Sequence, residues 1–177
     1  MRVLGIDPGL GITGYGIIEA SNSGIKVLEA GVVRTSLKKV IQERLSTIFT
    51  EITKIIEEYR PEVCVLEELY SHYKHPRTSI LMGHARGVIC LACNEKKIPV
   101  VGYAAKRVKK AIVGNGSAAK EQVQRMIQNI LSLKQMPSPN DVSDALALAV
   151  AHTHICPALA CRNAVVGKGG VNKRTAK

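Results

Sequence analysis

Acidic side chains stand at the ends of the apolar segments of this chain, and that pattern restricts how the segments can pack. The sequence has only three aspartates. Asp7 ends an apolar run near the N-terminus, Asp141 and Asp144 open another, and Glu67 ends a third. Short carboxylates at the ends of buried elements suit hard cations such as Mg²⁺. The pattern therefore indicates a metal site at the place where these elements end.

The chain is strongly basic for its length. Its 177 residues carry 25 Lys and Arg against 14 Asp and Glu, a formal net charge of +11. This length suits one domain with a substantial core, which we expect over residues 1–156. Residues 157–177 are rich in Gly and Lys, which predicts a basic, disordered tail. The charge favours a polyanionic partner; a merely solvated basic surface is the alternative.

Cysteines, histidines and apolar runs bear on the compartment. The five cysteines lie mostly in apolar stretches. The Cys90–Cys93 pair has no second pair at zinc-site spacing, which favours buried thiols. His152 and His154 are interpreted as helix-end residues. No apolar run reaches membrane-spanning length, and the N-terminus leads into a strand pattern rather than a signal peptide. We expect a cytoplasmic protein that does not associate with membranes.

Hydrophobic periodicity predicts an α/β fold. Apolar and alternating runs predict five strands, over residues 2–6, 13–20, 25–34, 62–67 and 98–103. Amphipathic spacing predicts helices over residues 40–56, 78–95 and 104–113, one that Ser117 caps, ending near residue 131, and one that Asn140 caps, ending near residue 154. The first three strands form an antiparallel meander. One mixed five-stranded sheet with helices on both faces accommodates this order.

The acids can converge if two of the strands are neighbours. Asp7 and Glu67 end the first and fourth predicted strands, and Asp141 and Asp144 lie on one face of the last helix. If those strands are adjacent, four carboxylates meet at one edge of the sheet, where they repel each other unless a cation is bound. Two Mg²⁺ or Mn²⁺ ions about 4 Å apart would hold a scissile phosphate there and activate a water.

Each acid also has a structural interpretation that the residues alone leave open. Asp7 can be the first residue of a turn. Asp141 and Asp144 can favour a helix N-terminus, and Glu67 can belong to an ion pair. Glu68 competes with Glu67 for the metal site, because strand alternation sends the two side chains to opposite faces and spacing does not choose between them.

Several motifs, in order along the chain, resemble those of the RuvC-type Holliday junction resolvases. They are Leu4–Gly9 with Thr13–Gly16, then Glu67–Tyr70, Gly83–Gly87, Tyr103–Ala105, Val113–Ser117 and Asp141–Ala147. The resemblance runs from Arg2 to about His154. It is specific, because separate motifs agree in order and spacing.

This resemblance implies a ribonuclease-H-like fold and a homodimer that nicks four-way DNA junctions with Mg²⁺. The implied products are symmetric paired nicks in strands of like polarity, with 5′-phosphates, in recombination and DNA repair. Association with the RuvA–RuvB branch-migration complex is also implied. The resemblance places Asp7, Glu67, Asp141 and Asp144 in the site as catalytic metal ligands and leaves Glu68 outside it. The helix over residues 78–95 is expected to supply much of the dimer interface.

Basic and aromatic residues near this site are the candidates for DNA contact. The resemblance assigns such contacts to Lys109 and Lys120, and Tyr70 stands where the family usually has Phe. The remaining candidates lie between Glu68 and the next helix, or on the helix over residues 104–113: Tyr73, Lys74, Arg77, Lys106, Arg107 and Lys110. The Tyr70 ring can stack on an unpaired base. The cations can neutralise phosphates, although a solvated helix face is the alternative for the last group.

Three other functions are left to weigh against a junction resolvase. Actin-like kinases and ATPases share the Gly-Ile-Asp-x-Gly motif, but they need two such lobes and this length allows one. A ribonuclease-H-like RNA-processing nuclease shares the first Asp strand, whereas the Asp141 and Asp144 pair with basic helices favours the junction enzyme. A non-catalytic DNA-binding module of the same fold is disfavoured, because all four acids are present.

Overall fold

One five-stranded sheet organises the part of the chain that the structure describes. The computed structural model describes residues 1–68, 76–135 and 137–156. In chain order the elements are β1 (Arg2–Asp7), β2 (Ile12–Ser21), β3 (Gly24–Arg34), α1 (Ile41–Tyr59), β4 (Val63–Glu67), α2 (Pro76–Glu95), β5 (Val100–Tyr103), α3 (Ala105–Val113), α4 (Lys120–Ile130) and α5 (Asn140–Ile155). Within these ranges no helix is both long and apolar enough to cross a membrane.

The sheet is mixed and has the order β3-β2-β1-β4-β5. The strands β1, β2 and β3 form the predicted antiparallel meander, while β4 runs parallel to β1 and β5 runs parallel to β4. β1 and β4 are neighbours, as the convergence of the acids at one edge of the sheet requires. Their register pairs Ile6 with Leu66. Asp7 and Glu67, which follow these two residues, therefore leave the sheet at the same edge.

Helices cover both faces of the sheet, as predicted. The side chains of β4 alternate between two apolar cores. Val63 and Val65 pack with residues of α3, α4 and α5, whereas Cys64 and Leu66 pack with residues of α1 and α2. A strand that is apolar on both sides is typical of the centre of a covered parallel sheet.

Three glycines allow α5 to lie directly on β1 and β2. A Cβ atom at Gly5 would overlap the carbonyl oxygen of Ala145, and one at Gly14 would overlap the carbonyl group of Asp141. A Cβ atom at Gly16 would lie 2.6 Å from a leucine side chain of α5. Glycine inside a strand marks the close approach of another backbone. The start of α5 is therefore held in backbone contact with the sheet.

The starts of the last two helices differ from the prediction. α4 begins after Ala119, so Ser117 does not cap it; the Ser117 N–H donates to Asn115 Oδ1 at 2.9 Å instead. Asn140 is already the first residue of α5, which has no side-chain cap. Its Oδ1 accepts a hydrogen bond from Gln124 Nε2 at 3.1 Å. Both expected caps were wrong: Ser117 lies two residues before the Ala119 N-cap, and the Asn140 side chain bonds to Gln124 instead of to the helix backbone.

β5 is also shorter than predicted, since it begins at Val100 rather than at residue 98. The N–H of Ile98 donates back to the carbonyl oxygen of Cys93 at 2.8 Å, and Pro99 has no N–H to offer a neighbouring strand. The regular strand therefore begins only at Val100, although the Pro99 carbonyl oxygen already accepts a hydrogen bond from the Cys64 N–H of β4 at 2.9 Å.

Replacing Gly5 by Ala tests the contact between α5 and the sheet. The added methyl group overlaps a backbone atom that no rotamer change can move. We expect the free energy of unfolding to fall by about 3 kcal/mol or more, the upper range for overpacking. Gly11→Ala is the control, because its nearest neighbour would be an Arg44 nitrogen at 3.9 Å. Denaturant unfolding compares the two variants, and equal stabilities would contradict the close approach.

Candidate active site

Two strand ends and the first turn of α5 meet at one edge of the sheet. β1 ends at Asp7 and β4 ends at Glu67. Across the meander Asp7 pairs with Gly14, and Gly14 lies directly against the backbone of Asp141. Asp144 follows one helical turn later. The structure thus brings together the four acids that the sequence singled out.

The turn that follows Asp7 is held by hydroxyl groups. Thr13 is fully buried, and its Oγ1 donates to the carbonyl oxygen of Gly9 at 2.7 Å. The hydroxyl of Thr35 donates to the carbonyl oxygen of Leu10. A buried hydroxyl needs such a partner, so these bonds stabilise the turn and fix the direction in which the chain leaves Asp7.

Asp7 is the most perturbed acid of the group. Burial first, and then the negative charges of Asp144, Glu67 and Asp141 in that order, together raise its pKa to about 7, while the charge of Lys120 lowers it. Both effects disfavour a charged carboxylate. Near neutral pH, Asp7 therefore readily takes up a proton, and a nearby cation would favour its ionised form instead.

The pKa of Glu67 is raised by the same two kinds of effect, burial and a neighbouring acid. Burial and the charge of Asp144 raise the pKa of Glu67, whereas the ammonium groups of Lys120 and Lys109 lower it. Glu67 therefore lies within electrostatic reach of Asp7 and Asp144 and of two cations from α3 and α4. The site is a mixed array of charges rather than an isolated acidic patch.

Lys109 and Lys120 both line the pocket beside Glu67 and Asp144, which has a volume of about 190 Å³. Lys120 Nζ donates to Asp144 Oδ2 at 2.6 Å, and this hydrogen bond raises the pKa of Lys120. Lys109 Nζ donates to the carbonyl oxygen of Ala118 at 2.8 Å, just before α4. The two lysines that the resemblance assigned to DNA therefore adjoin two of the four acids.

The structure separates Glu67 from Glu68. Glu67 continues the side of β4 that carries Val63 and Val65, which is the side covered by α5. Glu68 belongs to the opposite side, where its Cγ lies 3.1 Å from the position of a Cβ added at Gly102. Only the first of the two glutamates is directed towards the aspartates, as the resemblance implied.

The other predicted DNA contacts lie on exposed surface. Lys106, Arg107 and Lys110 are exposed on α3, and the Arg107 guanidinium carbon lies 5.1 Å from the centre of the Tyr103 ring, a cation–π contact. Arg77 is exposed in the first turn of α2. The remaining candidates, Tyr70, Tyr73 and Lys74, lie outside the described residues and stay predictions.

Two residues near the site were missed by sequence reasoning. Arg86 Nη1 donates to the carbonyl oxygen of Glu67. His152 lies in the last turn of α5, as predicted, but its burial was not foreseen. It is only 3% exposed, its Nδ1 lies 2.9 Å from the Tyr103 hydroxyl, and burial lowers its pKa. The helical spacing of four residues from Leu148 is the signal that places His152 on a buried face.

The four carboxylates share one electrostatic field without forming a preassembled metal cage. Among the described residues, no three His, Cys, Asp or Glu side chains lie close enough together to hold one ion. The ammonium of Lys120 supplies the counter-charge to Asp144. The donor set nevertheless fits a hard divalent cation, because it consists of carboxylates alone. The pKa of Asp7 is raised because the charge of Lys120 does not offset burial and the charges of the neighbouring acids.

Comparison with known sequences assigns the chain to a family. The family described as Crossover junction endodeoxyribonuclease RuvC matches residues 3–152. The chain belongs to this family. The RuvC protein of Finegoldia magna is 44% identical over 152 residues, which cover 86% of this chain and 92% of the relative. That of Caldicellulosiruptor saccharolyticus is 45% identical over 153 residues, with the same coverage of 86% and 92%.

The fold agrees with a solved member of the same family. The structure described as Thermus thermophilus RuvC in complex with Holliday junction substrate has a TM-score of 0.83 and 34% sequence identity, covering 88% of this chain and 94% of that chain. The predicted ribonuclease-H-like fold is therefore confirmed. By family, the chain is a crossover junction endodeoxyribonuclease.

The raised pKa of Asp7 predicts how stability depends on pH when no metal is bound. Folding raises this pKa from 3.8 to about 7, so between these values the folded protein holds a proton that the unfolded chain releases. The contribution of Asp7 to the free energy of unfolding is therefore fully present below about pH 4 and is lost as the pH rises towards 7.

Asp7→Asn removes the titrating group and isolates this effect. In EDTA we expect the variant to be more stable than the wild type by about 2–4 kcal/mol above pH 7, with little difference near pH 4. Denaturant unfolding across this range measures the difference. Parallel pH profiles for the two proteins would show that Asp7 ionises without cost.

Proposed function

We propose that the protein resolves four-way (Holliday) DNA junctions by symmetric paired nicks in strands of like polarity. Each nick is a metal-dependent hydrolysis of a phosphodiester that leaves a 5′-phosphate, in homologous recombination and DNA repair. The observation that carries this proposal is the meeting of Asp7, Glu67, Asp141 and Asp144 at one edge of the sheet, in a chain of the RuvC family.

The four acids would hold the metal ions. Mg²⁺ is the expected ion, two per site, and Mn²⁺ is expected to substitute, since both accept carboxylate ligands. When bound, the ions supply an activated water and neutralise charge on the phosphate and the leaving oxygen. The carboxylates of Asp7 and Glu67 come from rigid strand ends, whereas Asp141 and Asp144 come from the first turn of α5. The protein thus fixes the ligands from three elements.

Lysines beside the acids provide the counter-charge for the DNA. Lys109 and Lys120 line the same pocket as Glu67 and Asp144, so a phosphate that enters the site meets two ammonium groups. Lys106, Arg107 and Lys110 extend the positive surface along α3, and Arg77 adds a charge at the start of α2. Such cations supply affinity that does not depend on sequence. Tyr70 is proposed to stack on a junction base, with Tyr73 and Lys74 beside it.

A homodimer is proposed through α2. Its exposed side carries Ile80, 60% exposed, and Leu91, 51% exposed. Gly83 and Gly87 lie between them, and a Cβ atom at either would meet nothing within 4 Å. The apolar stripe with small residues at its centre lets a second α2 approach closely. Two copies related by a two-fold axis place one site on each of two strands.

The setting of the enzyme follows from its substrate. We place it in the cytoplasm and expect it to associate with the RuvA–RuvB branch-migration complex. The domain is expected over residues 1–156, with the basic residues 157–177 as a tail that adds non-specific attraction to DNA.

Neutralising single acids tests the chemistry. Asp7→Asn and Glu67→Gln should lower the rate of junction cleavage at least about 10³-fold, because a metal ligand is lost while size is kept. Junction affinity in EDTA should change less than about threefold, since it comes mostly from lysines. The assay uses an immobile four-way junction labelled on each strand in turn, with Mg²⁺ or EDTA.

Glu68→Gln is the matched control for Glu67→Gln, because the two glutamates are adjacent and face opposite sides of β4. It should keep most of the activity. Cleavage by Asp7→Asn at neutral pH with Mg²⁺ would falsify the site assignment. Wild-type protein that binds junctions but never cuts them would indicate a non-catalytic module.

Gly87→Glu tests the dimer without disturbing the protomer, because the new side chain points into open space. We expect the variant to be monomeric at micromolar concentration in analytical ultracentrifugation, with a wild-type melting temperature. Its nicks on the two strands should become unpaired, since the sites are no longer linked. Val40→Glu is the control, as Val40 is an apolar residue 54% exposed outside α2. A dimeric Gly87→Glu protein with paired nicks would place the interface elsewhere.

A further inference from the structure

The end of β4 is held from the side of the sheet opposite to the acids. Arg86 lies in α2 between the buried Ala85 and the exposed Gly87, and is itself partly buried. Its Nη1 donates to the carbonyl oxygen of Glu67. Glu67 is therefore bonded to α2 through its backbone, while its side chain lies with Asp144 and the lysines on the α5 side.

Only one of the two strands beside β4 extends as far as Glu67. The register of β1 with β4 ends at Ile6 and Leu66. The register with β5 extends one residue further, to Glu67 and Tyr103, and the last bond there runs from the Glu68 N–H to the Tyr103 carbonyl oxygen at 2.9 Å. Glu67 thus has a strand partner on one side only, and Arg86 supplies a further contact to its backbone.

A second observation shows that β5 makes room for this arginine. A Cβ atom at Gly102 would lie 3.5 Å from Arg86 Nη2 and 3.1 Å from Glu68 Cγ. The guanidinium therefore rests against a strand position that has no side chain. Glycine weakens a strand unless something packs closely against it, and here the Arg86 guanidinium and the Glu68 side chain do so.

From this geometry we propose that Arg86 is a positioning residue for the nuclease reaction, which sets the place of the Glu67 carboxylate by fixing the Glu67 peptide. The inference rests on the metal-dependent function proposed above. A charged donor to a carbonyl oxygen is among the stronger hydrogen bonds. Partners that orient a metal ligand typically change metal affinity or activity 10- to 100-fold when they are removed. A ligand displaced by about 1 Å has a comparable effect on rate.

Arg86→Gln tests the inference by removing the charged donor. In DNA-free protein we expect Mn²⁺ to bind about tenfold more weakly, as measured by isothermal titration calorimetry and by electron paramagnetic resonance of free Mn²⁺. On the four-way junction, kcat should fall about 10- to 100-fold. The Kd for the junction in EDTA should stay within about twofold, because Arg86 lies on the side of the sheet opposite to the acids.

Arg2→Gln is the matched control. Arg2 Nη1 also donates to a backbone carbonyl oxygen, that of Tyr59, at 3.1 Å, but at the opposite end of β1. The control should show wild-type Mn²⁺ affinity and kcat even if its stability falls. Arg86→Lys keeps the charge and one donor but not the planar pair of donors, so it should lie between wild type and Arg86→Gln, about threefold weaker in both measurements.

The outcomes separate this inference from the proposed function. If wild-type protein neither binds Mn²⁺ nor cuts the junction, the metal-dependent function itself fails. If wild type does both and Arg86→Gln matches Arg2→Gln in Mn²⁺ affinity and kcat, Arg86 has no positioning role. Should Arg86→Gln not fold, Arg86→Lys decides: an intermediate loss of Mn²⁺ affinity supports the inference, and wild-type values in both measurements overturn it.

Discussion

The backbone contact between α5 and the sheet is the constraint on which the rest of the site depends. Gly5 and Gly14 let the carbonyl groups of Ala145 and Asp141 come down onto β1 and β2. Because Gly14 pairs with Asp7, the same contact sets Asp141 and Asp144 beside the end of β1. Side chains at these positions would lift the helix and spread the acids apart. Burial under the helix is the main cause of the raised pKa of Asp7, and the nearby acids add to it.

The site is built from both faces of the sheet. Asp141 and Asp144 arrive from the α5 side, while Glu67 is held through its carbonyl oxygen by Arg86 of α2. A neighbouring face of α2 carries the exposed stripe that we assign to the dimer. A helix that contacts both a second protomer and a metal ligand can transmit a displacement from one to the other. If α2 forms the dimer interface and Arg86 positions Glu67, one rigid helix determines both the geometry of the dimer and the position of Glu67.

Much of this arrangement could be predicted from local patterns, and the remainder depends on partners that leave no local signal. Apolar periodicity predicted the meander, the layers and the four acids, because burial and strand alternation act residue by residue. The choice between Glu67 and Glu68 needed the face that α5 covers, or the family resemblance. The bond from Arg86 has a backbone acceptor, which every residue possesses. The glycines in β1 and β2 permit the close approach of α5, but the sequence analysis drew no contact from them, because a glycine does not identify the element that packs against it.

Lysines beside the four acids explain how an acidic site in a strongly basic protein can still attract a phosphate anion. Lys120 of α4 bonds to Asp144, and Lys109 of α3 bonds to the Ala118 carbonyl oxygen just before α4. The two basic helices are thus tied to each other and to the acidic edge of the sheet. A cation held among the carboxylates, as proposed above, would compete with Lys120 for Asp144. The Lys120 ammonium lines the pocket beside Glu67 and Asp144, so it would remain available there to attract a phosphate.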